Sequence, residues 1–271
     1  MMKRRRLSDV LVALLLLLWL APMIWLAATS LKSEKHVITD RLAPFAAPLT
    51  TENYSKAFGS TAIGRWLLNS LIVSSTSTVI TVLLDAMIAY ALARIPFRGR
   101  NSLLIFVLAG MMVPFEALII QLYLEFNALG LINTLAAIIL PRLSMPIGVF
   151  ILTQFFKGIP AALEEAAFMD GAGRWKIFTS VILPNGKSAL VTVTILSFIG
   201  AWNDFLWPLV VASESAMYTI TVGIANFQGT HGTEYSLIMA GAVVASLPLI
   251  VLFLSFRDQI VKGIAMTGMK D

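Results

Sequence analysis

Long apolar segments alternate with short polar ones along the whole chain. A helix needs about 20 mainly apolar residues to cross the hydrocarbon core of a bilayer. Six segments reach that length and predict an all-α, polytopic membrane protein built as a single domain over residues 1–271. The predicted transmembrane helices, or spans, run approximately over residues 10–30, 66–92, 102–120, 135–156, 190–211 and 236–256.

The first span begins in the manner of a secretion signal. Lys3-Arg4-Arg5-Arg6 precedes an apolar core, and Ala27-Ala28 offers a pair of small residues. That core is longer than the roughly 7–15 residues of a signal peptide. We therefore expect an uncleaved transmembrane helix.

Composition supports the membrane assignment. The chain is 58% hydrophobic and 13% charged, whereas soluble domains carry about 25% charged residues. Cysteine is absent, so neither disulfides nor thiolate metal sites contribute, and the sequence predicts no metal site. The net charge of +5 is spread over short loops rather than along one face, which argues against nucleic acid as a partner.

Lysine and arginine mark the cytoplasmic loops of membrane proteins. They concentrate at the N-terminus, after the second and fourth spans and in the C-terminal tail, and are absent from residues 121–134 and 212–235. The long first external loop carries both signs of charge, and the rule weakens for long loops. The pattern predicts that both termini face the cytoplasm.

The polar loop at residues 157–188 separates the fourth and fifth spans. Pro160 suits the start of a helix, and Glu164 and Glu165 complement the helix dipole in its first turn. Gly171 offers a left-handed stop. A short helix outside the bilayer is therefore predicted over residues 161–170. An ordinary interfacial connector is the alternative interpretation.

Glu165-Ala166-Ala167, then Gly171, then Val181-x-Leu183-Pro184 is a more specific pattern. It resembles the loop signature of bacterial ATP-binding-cassette import permeases, with Val181 in place of the usual isoleucine. Asp170-Gly171-Ala172 is similar to the carbohydrate-uptake subfamily, and the chain length is similar to that of the smaller of two paired maltose-type sugar permeases. Ser188 departs from the family, which often has proline there.

The resemblance implies an inner-membrane permease without ATPase activity of its own. Its implied partners are a second homologous permease, an ATPase dimer that binds ATP and Mg²⁺, and an extracytoplasmic solute-binding protein, so this chain would bind no cofactor. The implied ATPase-docking loop includes Glu164, Glu165, Ala166, Ala167, Asp170, Gly171, Leu183 and Pro184. The carboxylates among these are expected to accept hydrogen bonds from basic residues of the ATPase.

Polar residues inside spans are candidates for a substrate path or for structural pairs. Glu116, Arg142 and Asp204 fall at similar depths, and Arg142 is expected to pair with one of the two carboxylates. The further path candidates are Asn69, Trp202 and Asn203.

For the other notable residues of the predicted spans, the sequence predicts structural roles rather than solute contacts. Trp207 is expected in the interfacial aromatic belt, and Asp85 is expected to cap a helix or to pair with Arg94 or another neighbour. Three prolines are expected to bend the third and fourth spans: Pro114, Pro141 and Pro146.

Sugar import by alternating access is the function that this reasoning favours. Import of a polyol or a glycerol phosphate ester by the same machinery stays open, with Arg142 as the cation that would attract an anion. An intramembrane enzyme is disfavoured because no HExxH or GxSxG motif occurs and both histidines fall in loops. A proton-coupled carrier using Glu116 or Asp204 would leave the docking loop unexplained.

Overall fold

A computed structural model describes residues 2–39, 48–228 and 234–267, and within these ranges the regular structure is entirely helical. The histidine at position 231 lies outside the described residues. The α-helices are α1 (Met2–Ser30), α2 (Glu34–Thr39), α3 (Glu52–Ser60), α4 (Ile63–Arg94), α5 (Arg100–Ala109), α6 (Ile119–Ala128), α7 (Leu135–Ile139), α8 (Pro146–Lys157), α9 (Ala161–Met169), α10 (Arg174–Ile177), α11 (Leu183–Asn185), α12 (Lys187–Trp202), α13 (Leu206–Val211), α14 (Ile220–Ala225) and α15 (Tyr235–Thr267).

The chain divides into two compact units, one of residues 1–67 and 220–248 and the other of residues 68–219 and 249–271. The first unit is held together at helix ends. Asn53 donates to the carbonyl oxygens of Ser30 and Lys32 at the end of α1. The Glu34 carboxylate accepts hydrogen bonds from the backbone amides of Tyr235 and Ser236, which begin α15. These contacts satisfy backbone groups that helix termini leave open.

Up to six spans can be counted in the described residues, of which only three are single helices. Leu11–Ser30, Ile63–Arg94 and Tyr235–Arg257 are each long and apolar enough to cross a membrane. The third and fourth predicted spans are broken helices, bent by 81° at residues 113–114 and by 47° at residues 143–145. The fifth predicted span corresponds to α12 followed, after an interruption at residues 203–205, by α13. A bend of 81° also precedes α12.

Proline lies at the breaks of the third and fourth spans, as predicted. Pro114 directly precedes a 3₁₀ turn at Phe115–Leu118. Pro141 lies in the 3₁₀ turn Leu140–Arg142, and Pro146 is the first residue of α8. Proline lacks the amide proton that a continuing helix would need, so it ends one helical segment and is tolerated in the first turn of the next.

A buried polar face of α4 secures the break of the fourth span. Thr81 Oγ1 donates to the carbonyl oxygen of Arg142 over 3.1 Å. The fully buried Asp85 accepts from Ser144 Oγ at 2.8 Å and from the Met145 amide at 3.2 Å. The expectation that Asp85 caps a helix is therefore confirmed at the start of α8. The alternative expectation, that Asp85 pairs with Arg94, is wrong, because Arg94 pairs with Glu164.

Two apolar clusters pack the second unit. One joins Tyr90 of α4 and Phe156 of α8 to residues of the loop after α9 and to Val193 of α12. The other surrounds Trp207 of α13, together with Phe126 of α6 and Ile138 of α7. The clusters fix the half-helices of the broken spans against the long α4.

Gly148 provides a test of the α4–α8 contact. A Cβ atom added there would collide with the Asp85 carboxylate and meet a Val193 methyl at 3.0 Å. We expect Gly148→Ala to destabilise the protein by about 1–3 kcal/mol through overpacking. The measurement is the thermal unfolding midpoint of the detergent-purified chain, followed by tryptophan fluorescence.

The matched control is Gly200→Ala in α12. A Cβ at Gly200 meets nothing within 4 Å, and alanine favours a helix over glycine. Its midpoint should stay level or rise. Equal midpoints for both variants would contradict the close approach of α4 to α8.

Candidate functional site

The predicted short helix of the polar loop is confirmed as α9, Ala161–Met169. Gly171 follows it with φ of 77°, the left-handed conformation expected for a stop. The amide of Gly171 donates to the Phe168 carbonyl oxygen and that of Ala172 to the Ala167 carbonyl oxygen. This pair of bonds is a Schellman motif, which reverses the chain while satisfying the last carbonyls of the helix.

An ion pair fixes α9 to the rest of its unit. Arg94, the last residue of α4, places Nε 3.0 Å from Oε1 of Glu164, and both side chains are 12% exposed. Arg94 also donates to the carbonyl oxygens of Phe156, near the end of α8, and Ile159. One guanidinium thus joins α4, the chain end of α8 and α9.

Glu164 therefore does not present its carboxylate at the surface. The expectation that it accepts a hydrogen bond from a docking partner is wrong, because its place on α9 turns it towards Arg94. The neighbouring Glu165 is exposed, as are Ala166 and Asp170. The sequence marks both glutamates equally, and only the contact with α4 distinguishes them.

The outward face of this loop is strongly apolar. Phe168 is 46%, Met169 89% and Trp175 67% exposed, and Leu163 is also exposed. We call this set, together with Glu165, Ala166 and Asp170, the α9 surface. Exposed apolar patches of this kind mark protein or membrane contacts.

The loop after Gly171 packs inwards. Ile177 and Ile182 are fully buried, and Phe178 lies 5.2 Å from the ring of Tyr90. A π-helical turn at Phe178–Ile182 leads into α11, which begins at Leu183. Leu183 packs against this apolar cluster, and Pro184 is exposed.

A second candidate site lies where the third, fourth and fifth spans break. Arg142 Nε is 3.0 Å from Oδ2 of Asp204, and Arg142 Nη2 donates to Oδ1 over 3.3 Å. The guanidinium also lies 4.3 Å from the centre of the Phe115 ring. Arg142 directly precedes the break of the fourth span. Asp204 lies within the break of the fifth span, and Phe115 directly follows the break of the third. Arg142 was expected to pair with Glu116 or Asp204, and the structure pairs it with Asp204.

Glu116 and Asp204, the two carboxylates of this site, both lie at breaks between helical segments. Asp204 accepts hydrogen bonds from the backbone amides of Trp207 and Phe205, so it also holds the start of α13. Glu116 is exposed in the turn after Pro114 and acts electrostatically on Asp204. Asn203, the residue before Asp204, is exposed. We call Glu116, Arg142, Asn203 and Asp204 the break site.

Other path candidates occupy structural positions. The Asn69 amide donates to the carbonyl oxygens of Ala216 and Tyr218, 2.9 Å from each. Trp202 is buried and stacks on Phe198. Trp207 is fully buried and donates from Nε1 to the Ala137 carbonyl oxygen. The assignment of Trp207 to the interfacial belt is therefore wrong, because its indole fills the apolar cluster between α6 and α7.

The buried polar face of α4 was not recognised in the sequence as a unit. Apart from one adjacent pair, its members recur every three or four residues: Ser70, Ser74, Ser77 with Thr78, Thr81 and Asp85. Small and hydroxyl-bearing residues at this spacing let transmembrane helices approach closely. That period is visible in the sequence and could have indicated the helix contact.

Within the described part of the chain, no group of three or more histidine, cysteine, aspartate or glutamate residues could hold a metal ion. The arrangement instead offers an exposed apolar surface on α9 and a polar site between broken apolar helices. Irregular backbone at membrane depth is tolerated where protein buries it or a cavity meets it. These features define a polytopic helical membrane protein of the transporter class.

Comparison with known proteins identifies the family. Residues 85–266 match the model of the "Binding-protein-dependent transport system inner membrane component". The chain belongs to this family. Membership confirms the prediction of an inner-membrane transport component and favours it over an intramembrane enzyme.

Individual relatives of known name are also transport permeases. The arabinooligosaccharides transport system permease protein AraQ of Bacillus subtilis is 34% identical over 95% of this chain and 92% of its own length. The trehalose transport system permease protein SugB of Mycobacterium tuberculosis is 38% identical over 93% and 92%. A chain of a bacterial ABC transporter that imports the acidic polysaccharide alginate shares the fold, with a TM-score of 0.81 at 22% identity, covering 93% of this chain and 94% of that one.

The Arg94–Glu164 pair can be measured by a double-mutant cycle of Arg94→Gln and Glu164→Gln. Because the pair is largely buried, we expect each single variant to lower the unfolding free energy and the coupling energy to be about 0.5–3 kcal/mol. The measurement is reversible unfolding of the purified chain in detergent.

The exposed pair of Glu52 and Lys56, 3.1 Å apart on α3, is the control. An exposed pair one helical turn apart should couple by about 0.3–0.5 kcal/mol. A coupling energy for Arg94 and Glu164 no larger than this would contradict the anchoring of α9.

Proposed function

We propose that this chain is the permease subunit of an ATP-driven importer that moves a sugar into the cytoplasm. The observation that carries the proposal is the α9 surface, an exposed apolar patch on a helix that a buried ion pair holds in place. Family membership supports the importer, and the names of the relatives support a sugar.

The α9 surface has the chemistry of a docking element for a nucleotide-binding subunit. Met169 and Phe168 offer apolar anchors, and Ala166 permits close approach of the partner's backbone. Glu165 and Asp170 offer carboxylates for basic side chains. Interfaces place such apolar residues at the centre and polar ones at the rim. Gly171 turns the chain at the end of this surface.

A movement of α9 would be transmitted to the spans through an ion pair, hydrogen bonds and an apolar cluster. Arg94 connects Glu164 to the chain ends of α4 and α8. The apolar cluster around Phe156 and Ile177 extends the connection to α12. A displacement imposed by the ATPase would therefore be passed to α4, α8 and α12, which carry or secure the fourth-span and fifth-span breaks.

The remaining subunits follow from the proposed mechanism. A binding protein would deliver the solute to the outer face, and a second homologous permease would complete the path. Two ATPase subunits, which bind ATP and Mg²⁺, would drive alternating access. In this arrangement α9 and both termini face the cytoplasm, and the chain acts as one membrane domain.

The proposed solute path runs past the break site. Its exposed or partly exposed polar groups can hydrogen-bond to hydroxyl groups, which sugars present in number. The buried Asn69 and Trp202 would support the path from behind, because their side chains are enclosed by protein.

Gly171→Asp tests the docking role of α9. Aspartate at φ of 77° strains the Schellman turn and should displace the α9 surface from its partner. We expect ATPase activity that co-purifies with the tagged chain from native membranes to be lost. ATP-dependent solute uptake into vesicles should fall with it.

Gly173→Asp is the matched control, since it adds the same charge two residues later. Gly173 has φ of −73°, which an aspartate adopts without strain, and open space for a side chain. This variant should retain both activities. Full uptake by Gly171→Asp, or recovery of the wild-type chain with no ATPase at any detergent strength, would overturn the docking proposal.

A further inference from the structure

The break site bears on the charge of the solute, a question that family membership leaves open. The relatives include transporters named for neutral sugars and one named for sulfoquinovosyl glycerol, which carries a sulfonate, and a structural neighbour imports an acidic polysaccharide. An anionic solute would need a cation on its path that is not already neutralised. Arg142 is the residue that decides this point.

The charge of Arg142 is already balanced within the protein. Two of its nitrogen atoms face both carboxylate oxygens of Asp204, at 3.0 and 3.3 Å. The ring of Phe115 covers one face of the guanidinium. Nη2 donates the hydrogen bond and Nε adds a close charge contact, and a charge-assisted contact of this kind is stronger than one between neutral groups. An incoming carboxylate or phosphate would have to displace Asp204 to gain the same bonds.

The surplus charge at the break site is negative. Glu116 is exposed and acts on Asp204 through space. The break site thus holds two carboxylates, of Glu116 and Asp204, and one guanidinium, which is paired with Asp204. The Asp204 side chain is only 8% exposed, and charges near a buried group interact more strongly than charges in bulk water. An anion approaching Asn203 and Asp204 would be repelled.

The helices supply no further cation at this depth in the described residues. Every other lysine or arginine in the candidate spans and half-spans lies within the first or last three residues of its helical segment, such as Arg65 and Lys157. Arg142 also ends its half-span, but at an internal break. It is therefore the cation that this chain can place in the middle of the path.

We propose that the break site selects for an uncharged, hydroxyl-rich solute and against anionic ones such as uronates and phosphate esters. The Asp204 carboxylate would accept hydrogen bonds from hydroxyl groups, and the Asn203 side-chain amide would both accept and donate them, while Glu116 supplies the repulsion. This inference rests on the proposed function, because it requires the break site to lie on the solute path.

A direct test of the charge uses the absence of cysteine from the chain. Asn203→Cys, in the assembled complex, is treated with an anionic and a neutral thiol reagent of equal size. Ser213→Cys, at an exposed loop position outside the break site, is the reference. The measured quantity is the ratio of the anionic to the neutral reaction rate at each cysteine. This ratio should be at least tenfold lower at position 203 than at position 213.

Adding Glu116→Gln to the Asn203→Cys variant should raise the anionic-to-neutral rate ratio at position 203 severalfold. Glu125→Gln, which removes an exposed carboxylate from α6, should leave the ratio unchanged. These variants avoid Asp204, whose substitution would also disturb the start of α13. Equal reagent rates in the protein that retains Glu116, or no response to Glu116→Gln, would overturn the proposed repulsion.

Uptake into proteoliposomes containing the complete transporter tests the solute class. The probes are neutral disaccharides and their counterparts oxidised to carboxylates. ATP-dependent uptake of a neutral probe, at least tenfold over its carboxylate, is expected. Equal uptake of the two would overturn the inference while leaving the importer intact. Absence of ATP-dependent uptake for all probes would instead overturn the proposed function, whatever the reagent ratio.

Discussion

The need to satisfy backbone polar groups where transmembrane helices break governs the second unit of this protein. A broken helix leaves amides and carbonyls without partners, and hydrocarbon offers none. Two aspartates meet this need. Asp85 of α4 accepts from Ser144 and Met145 at the start of α8, and Asp204 accepts from the amides of Phe205 and Trp207 at α13. Each carboxylate replaces helix bonds that the break removes.

The same constraint links structure to the proposed transport. Arg142 ends one half of the fourth span, and its side chain neutralises the aspartate that caps the fifth-span break. Its carbonyl oxygen accepts from Thr81, so the backbone and the side chain of one residue are held by different helices. A break fixed in this way has a defined geometry and still exposes polar groups to a passing solute. Arg94 holds α9 in a similar way, because its guanidinium pairs with Glu164 and donates to the carbonyl oxygens of Phe156 and Ile159.

Hydropathy, proline positions and loop chemistry predict much of this fold. The apolar runs coincide with the three single helices that could cross a membrane and with the two bent pairs that form the third and fourth predicted spans. Pro114 and Pro146 lie at two breaks, and Gly171 follows the end of α9. The sequence does not distinguish Glu164 from Glu165, because adjacent residues of a helix point about 100° apart and only the position of Arg94 determines which is buried. The sequence likewise does not determine the place of Trp207, because an indole suits the membrane interface and an apolar cluster equally well until its neighbours are known. The role of Asp85 depends on where the fourth span breaks in space, which hydropathy alone does not give.

The proposed transport mechanism requires α9 to contact an ATPase subunit. Cross-linking from Met169, the most exposed apolar residue of the α9 surface, tests it most directly, because the chain contains no cysteine of its own. In native membranes, Met169→Cys treated with a short bifunctional thiol reagent should give a covalent adduct with a nucleotide-binding subunit, identified by mass spectrometry. Met217→Cys, in the loop predicted to be external, should give none with that subunit. Failure of the thiol introduced at position 169 to link to any ATPase, while it reacts fully with a monofunctional reagent, would contradict the account.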